Sequence, residues 1–177
     1  MVTLHAKGFM KAPPADVWAV FTELEGWTYW AGVGQVTREQ PGRDELNGVG
    51  AIRATHLVGP PIREQVTVFE PHSRYGYTLL SGAPIKDHAG EVVFEERPHG
   101  TVVRWTVNFK PTVPGTGWVI GKTVELALKH ILSRLNNRMA PLEDHRVECP
   151  YADSQDAPSS YLLKGRRAIA RLTTPRM

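Results

Sequence analysis

The chain has 177 residues, of which 41% are hydrophobic and 22% are charged, and this balance is typical of a soluble globular protein with one domain. No stretch approaches the ~18 apolar residues that a membrane-spanning helix needs, and the first ten residues lack the long apolar segment of a signal peptide. The net charge of +3 does not indicate a nucleic-acid partner, because the basic excess is concentrated in residues 161–177, which contain no acid.

The amino-terminal segment predicts one strand followed by two short helices. Residues 2–11 alternate between apolar and polar side chains, as in a strand with one exposed face. Two prolines at 13 and 14 end this strand, since proline cannot donate to a sheet ladder, and they favour the first turn of a helix. Gly26 ends that helix, and Trp27, Tyr29 and Trp30 follow on a second turn, where they mark the expected mouth of a pocket.

Between residues 33 and 110 the pattern predicts six strands joined by short turns that contain Gly and Pro. This spacing is typical of an antiparallel meander and not of alternating strands and helices. The predicted strands cover residues 33–39, 49–57, 62–70, 75–81, 91–97 and 101–110, with Asp87 and His88 assigned to a loop.

One long helix is predicted from about residue 117 to residue 140. Apolar residues recur there in steps of three and four, which places them on one face of a helix. Trp118, Ala127 and Leu132 are predicted to widen this face, and the face is expected to bury itself on the sheet.

Beyond residue 141 the periodicity ends, and residues 143–177 are predicted to form a loosely ordered tail. Residues 161–172 would make a short basic amphipathic helix, suited to a weak contact with an acidic surface. Cys149 also lies in this segment. As the only cysteine of the chain it excludes an internal disulfide, and it favours a reducing, cytoplasmic location.

Several short strings occur in an order that carries a family resemblance. They are A-P-P-A-D-V-W at 12–18, the tryptophans at 27 and 30, G-V-G-A-I-R at 48–53, G-A-P-I-K-D-H-A-G-E-V at 82–92 and G-T-V-V-R-W at 100–105. With the element order, they resemble the START/Bet v 1-like superfamily and, within it, the polyketide cyclase/dehydrase-type SRPBCC proteins. The resemblance covers roughly residues 3–140 and implies a domain at 1–142.

This resemblance implies an α+β helix-grip fold, in which a curved antiparallel sheet wraps around the long carboxy-terminal helix and two short helices follow the first strand. An apolar cavity is expected between sheet and helix, and cavities of this kind are common ligand sites. Members of the superfamily include lipid carriers, hormone receptors, cyclases and co-chaperones, so the resemblance does not settle an activity.

Strand alternation predicts which side chains face this cavity. Trp105 belongs to the more apolar face of its strand, and Tyr77 is expected to point the same way. Glu64 lies in an otherwise apolar row, and Arg53 is placed diagonally near it if residue 57 pairs with residue 62. Because a buried charge needs a partner, the pair is interpreted either as a device that fixes strand register, or as an anchor for a ligand carbonyl or carboxylate, or as an aid to enolate chemistry.

The leading hypothesis is binding of a small hydrophobic ligand, which is lipid-, polyketide- or aromatic-like. The predicted ligand-binding residues are Trp30, Arg53, Glu64, Tyr77, Trp105, Leu128 and Leu132, with Arg53 and Glu64 orienting a polar end. The first alternative is a polyketide cyclase or dehydratase that uses the same cavity, and a weaker one is a protein-interaction module. No catalytic residue is assigned.

The sequence predicts neither a metal nor a cofactor. Its histidines lack metal-ligand spacing, and nucleophile-elbow, Walker and dinucleotide motifs are missing. His88, next to Asp87, is a weak candidate for a general base.

Overall fold

A seven-stranded antiparallel sheet and three helices account for residues 1–139, the part of the chain that this computed structural model describes. The elements, in chain order, are β1 (Val2–Met10), α1 (Pro14–Thr22), α2 (Trp27–Trp30), β2 (Gln35–Gln40), β3 (Ile52–His56), β4 (Ile62–Glu70), β5 (Arg74–Ser81), β6 (Ile85–Arg97), β7 (Gly100–Pro111) and α3 (Gly117–Met139). The predicted tail, residues 143–177, lies outside the described residues and stays a prediction.

The sheet is the predicted meander with the first strand added to its far edge. Its strand order is β1-β7-β6-β5-β4-β3-β2, so β2 to β7 follow one another in the sheet in their sequence order. Strand β1 pairs antiparallel with β7, where Ala6 lies opposite Trp105. With α3 packed against β1 and β7, this arrangement confirms the helix-grip fold.

Helix α3 buries one face, as its periodicity predicts. Leu128, Ile131 and Leu135 are buried, and Gly121 lies against β1, where an added Cβ would meet Val2 at 3.4 Å. The predicted widening of this face by Trp118 is wrong, since that side chain is 78% exposed. None of the helices among residues 1–139 is both long and apolar enough to cross a bilayer.

Strand β6 begins six residues earlier than the sequence predicts, at Ile85 and not at Glu91. The pairing with β7 shifts between Lys86 and Ala89, and Asp87 has a positive φ of 51°. This bulge interrupts the alternation that marks a strand. The assignment of His88 to a loop is therefore wrong, because it lies within a strand of the sheet.

Aromatic side chains fill the end of the interior that lies under α1. The ring of Phe21 makes edge-to-face contacts with Trp27, Tyr75, Phe94 and Trp105, at centroid distances of 5.2 to 5.5 Å. Such pairs add stability beyond the area they bury. At this end, aromatic side chains therefore occupy the space on the concave side of the sheet.

Candidate functional site

The opposite end of the interior is not filled, and a cavity of about 210 Å³ remains between the sheet and α3. Most of its wall is apolar, from side chains that include Trp27, Val33, Ile62, Ile85, Val107 and Ile131. Leu57 and Ala127 also line it and are exposed. The cavity therefore opens to solvent between the β3–β4 turn and the middle of α3.

Arg53 and Glu64 form an ion pair in the cavity wall. They are direct cross-strand partners on β3 and β4, and Arg53 Nε donates to Glu64 Oε2 over 2.8 Å. The predicted diagonal placement is wrong by two residues of register, because Thr55 and not residue 57 pairs with Ile62. A two-residue shift keeps every side chain on its face, so the inward direction of the pair is unchanged.

The Arg53 guanidinium is held between two aromatic rings. Its central carbon lies 4.7 Å from the Trp27 ring centroid and 5.0 Å from that of Tyr77, within cation–π range. Burial is the largest single effect and acts to lower the pKa of Arg53, but attraction to Glu64, together with smaller contributions from Tyr75, Tyr77 and the hydrogen bond to Glu64, outweighs it and the net pKa is raised. The guanidinium is therefore charged throughout the physiological range, although its Nη1 is buried without a hydrogen-bond partner among residues 1–139.

Tyr77 and Trp105 join the cavity wall through a buried hydrogen bond. Trp105 Nε1 donates to the Tyr77 hydroxyl oxygen over 2.9 Å. Gly90 on β6 makes room for the Tyr77 ring, since a Cβ at that position would lie 2.2 Å from it. Burial, followed by the charge of Glu64, raises the pKa of Tyr77. The phenol is therefore neutral, with its own hydrogen left to donate.

His88 reaches the cavity from the β6 bulge. Its Nδ1 accepts a hydrogen bond from the backbone N–H of Leu79 over 3.0 Å. A nitrogen that accepts carries no proton, so the neutral ring has its hydrogen on Nε2. Burial is the main cause that lowers the pKa of His88, which also favours the neutral form.

Five of the seven predicted site residues lie together on the cavity wall: Arg53, Glu64, Tyr77, Trp105 and Leu128. The structure places the other two elsewhere. Leu132 packs against Gly8 of β1. Trp30 contributes to a groove of about 710 Å³ on the outer surface, where Glu23, Glu25 and Arg138 are its neighbours.

Sequence reasoning missed Trp27 and His88 among the wall residues. Trp27 belongs to the aromatic segment that was expected at a pocket mouth, and its Nε1–H donates to the Phe21 carbonyl over 2.7 Å, which fixes the ring beside Arg53. The position of His88 on the cavity wall could not be predicted, because the bulge interrupts the strand alternation at that point. Within the described part of the chain, no three His, Cys, Asp or Glu side chains come together as a metal site would require.

Comparisons with known proteins agree on the family and the fold. A family model described as polyketide cyclase / dehydrase and lipid transport matches residues 1–141. Among solved structures, XoxI from Bacillus cereus has a TM-score of 0.68 and 18% identity, over 82% of this chain and 100% of its own. No curated protein matches the chain.

Two further solved structures share the fold. A START superfamily protein from Mycobacterium smegmatis has a TM-score of 0.65 and 12% identity, over 77% of this chain and 96% of its own. Ara h 8.0201 has a TM-score of 0.62 and 13% identity, over 78% and 97% respectively. Identities this low establish the shared fold and not an activity. Because the family model spans 1–141 of the 177 residues, the chain belongs to the polyketide cyclase / dehydrase and lipid transport family.

Proposed function

We propose that this protein binds a small, largely apolar molecule in the cavity between its sheet and α3. The observation that carries the proposal is the cavity itself, which has an apolar wall with one polar corner made by Arg53, Glu64 and Tyr77. Apolar pockets with a few convergent polar groups are the usual form of small-molecule sites. The low cysteine content supports a cytoplasmic location for this activity.

The volume limits the size of the ligand. Drug-sized molecules occupy pockets of roughly 300–1,000 Å³, whereas an apolar cavity of about 150 Å³ is enough for benzene. At about 210 Å³, this cavity suits a molecule of one ring, or two small ones, or a short alkyl chain. A long acyl chain or a multi-ring polyketide would need the mouth near Leu57 and Ala127 to open further.

A carrier is better supported than a cyclase by the state of the polar groups. A general base needs a free lone pair near the reacting atom, but Glu64 Oε2 is held by Arg53 and Tyr77 is neutral, which leaves Glu64 Oε1 as the one free carboxylate oxygen of this group within residues 1–139. His88 uses Nδ1 as an acceptor. If Glu64 were nevertheless a catalytic base, Glu64→Gln would abolish turnover and leave the binding of an apolar ligand nearly intact.

The binding proposal is tested with benzene as the probe and two tryptophan variants of α3. Val124 is half-buried on the cavity wall, whereas Leu126 is exposed and outside it. Benzene titrated into the full-length protein should shift backbone amide NMR signals of wall residues. Val124→Trp should remove these shifts by filling the cavity, and Leu126→Trp should keep them. Absence of shifts in the wild-type protein, or their survival in Val124→Trp, would contradict the proposal.

A further inference from the structure

The polar corner of the cavity has more hydrogen-bond donors than acceptors. Arg53 carries five N–H bonds, and within residues 1–139 only Nε–H has an acceptor, Glu64 Oε2. Nη1 is buried with no partner in the same range. The Tyr77 hydroxyl accepts from Trp105 and keeps its own hydrogen. On the acceptor side, Glu64 Oε1 makes no hydrogen bond to Arg53 or Tyr77.

Unsatisfied donors in a buried site cost free energy until an acceptor arrives. The Arg53 side chain is 5% exposed, so bulk water cannot satisfy the guanidinium freely. A ligand that brings an oxygen acceptor to this corner would therefore gain more than a hydrocarbon of the same shape. A hydrogen bond to a charged group is among the stronger ones in proteins.

The charge balance decides between a neutral and an anionic oxygen. Arg53 and Glu64 neutralise each other at 2.8 Å, so the corner has no net positive charge to offer. A carboxylate entering it would lose its hydration and be repelled by the Glu64 carboxylate, and the Arg53 charge that would offset these costs is already paired with Glu64. A carbonyl oxygen accepts hydrogen bonds without carrying a charge, so it avoids both costs.

We infer that the ligand of this cavity has a neutral carbonyl, a ketone or an aldehyde, directed at the donors of Arg53 and Tyr77, with an apolar body against Trp105 and Leu128. The inference rests on the proposed function and refines it. Of the two anchoring roles that the sequence leaves open for the Arg53–Glu64 pair, it selects the carbonyl and rejects the carboxylate.

Three probes of nearly the same shape separate these alternatives: acetophenone, which has the carbonyl, α-methylstyrene, which replaces its oxygen with a CH₂ group, and benzoate, which is an anion. Each is titrated into the full-length protein at neutral pH, and the dissociation constant is taken from amide shifts of the wall residues. Acetophenone is expected to bind about tenfold or more tightly than α-methylstyrene. Benzoate is expected to bind more weakly than both.

A double variant links this preference to the ion pair. Arg53→Met together with Glu64→Leu replaces the pair with apolar side chains of similar size, which folded proteins often tolerate. In this variant acetophenone should lose its advantage over α-methylstyrene. The matched control is Arg63→Met together with Glu39→Leu, which removes a pair of the same 2.8 Å length from the exposed surface and should keep the advantage.

The outcomes distinguish the inference from the proposal beneath it. If α-methylstyrene binds as tightly as acetophenone, or benzoate binds at least as tightly, the carbonyl inference is overturned and the hydrophobic site stands. Survival of the carbonyl preference in the Arg53/Glu64 double variant also overturns it. If none of the three probes shifts the wall residues, the proposed binding function itself is overturned.

Discussion

Arg53 and Glu64 lie directly opposite each other on β3 and β4, and the arginine donates to the glutamate across the strand pair at 2.8 Å, with side chains only 5% and 14% exposed. The pair has two consequences. It links two adjacent strands through their side chains, and it places opposite charges on a largely apolar cavity wall. Either partner alone would be a charge with little access to water.

Removing one partner of this pair should destabilise the protein more than removing both. Arg53→Met leaves the Glu64 carboxylate buried without a partner, so the free energy of unfolding should fall by roughly 3–5 kcal/mol. The double variant Arg53→Met with Glu64→Leu should lose clearly less. Urea unfolding of both variants measures this, and the exposed Arg63–Glu39 pair should contribute at most about 1 kcal/mol. A single variant as stable as the double would contradict the buried-pair account.

Tyr77→Phe should cost stability although it removes a single oxygen atom. Trp105 Nε1 would lose its acceptor in a buried position, and an unsatisfied buried donor costs about 1–3 kcal/mol. Tyr29→Phe is the control, because that side chain is 85% exposed. Thermal and urea unfolding should show the loss for the first variant alone, and equal stability of the two variants would be evidence against the hydrogen bond.

Two glycine-to-alanine substitutions should have opposite signs. At Gly90 the new Cβ would lie 2.2 Å from the Tyr77 ring, and overpacking of this kind costs about 1–3 kcal/mol. At Gly121 in α3 the nearest atom is 3.4 Å away, so Gly121→Ala should gain up to about 1 kcal/mol from helix propensity. Unfolding free energies give both values. If Gly90→Ala is neutral, the Tyr77 ring is not held against β6.

Stability should fall as the pH is lowered through the range in which His88 titrates. The folded state lowers the pKa of His88, mainly by burial, while the unfolded chain binds the proton near the ordinary value of about 6.5. The unfolded state therefore takes up protons first, so the contribution of His88 is complete above that pH and is lost below it.

His88→Asn keeps an acceptor for the Leu79 N–H but does not titrate, so its stability should depend less on pH than that of the wild type. His5→Asn is the control, because it removes a histidine from an exposed position of β1. Urea unfolding at several pH values compares the three proteins. An NMR titration that places the pKa of His88 at or above about 6.5 would refute the prediction.

The architecture was predictable because its signals are local and periodic. The repeat of apolar residues between Val124 and Leu135 indicates a long helix with one buried face, and the short Gly- and Pro-rich turns indicate a meander. The inward direction of Tyr77 and Trp105 follows from strand alternation, which needs no knowledge of the register. The same argument placed Arg53 and Glu64 on the inner face even with the register wrong by two residues.

The parts that could not be predicted depend on bulges and on packing between distant segments. A bulge near Asp87 changes which side chains face inwards, and nothing in a single sequence marks its position. The size of the cavity also could not be predicted, because it depends on how completely side chains from distant segments fill the space between the sheet and the helices. Phe21 and Trp27 fill one end because α1 and α2 fold back over the sheet. The sequence pattern does not show how close these helices come to the sheet.

A crystal structure of the protein pressurised with xenon tests the central claim most directly, because xenon enters apolar cavities of this size without needing a polar partner. The account predicts xenon density inside the fold, between Trp105, Leu128 and the Arg53–Glu64 pair. Density confined to surface grooves, with side chains filling the space between α3 and the sheet, would contradict it.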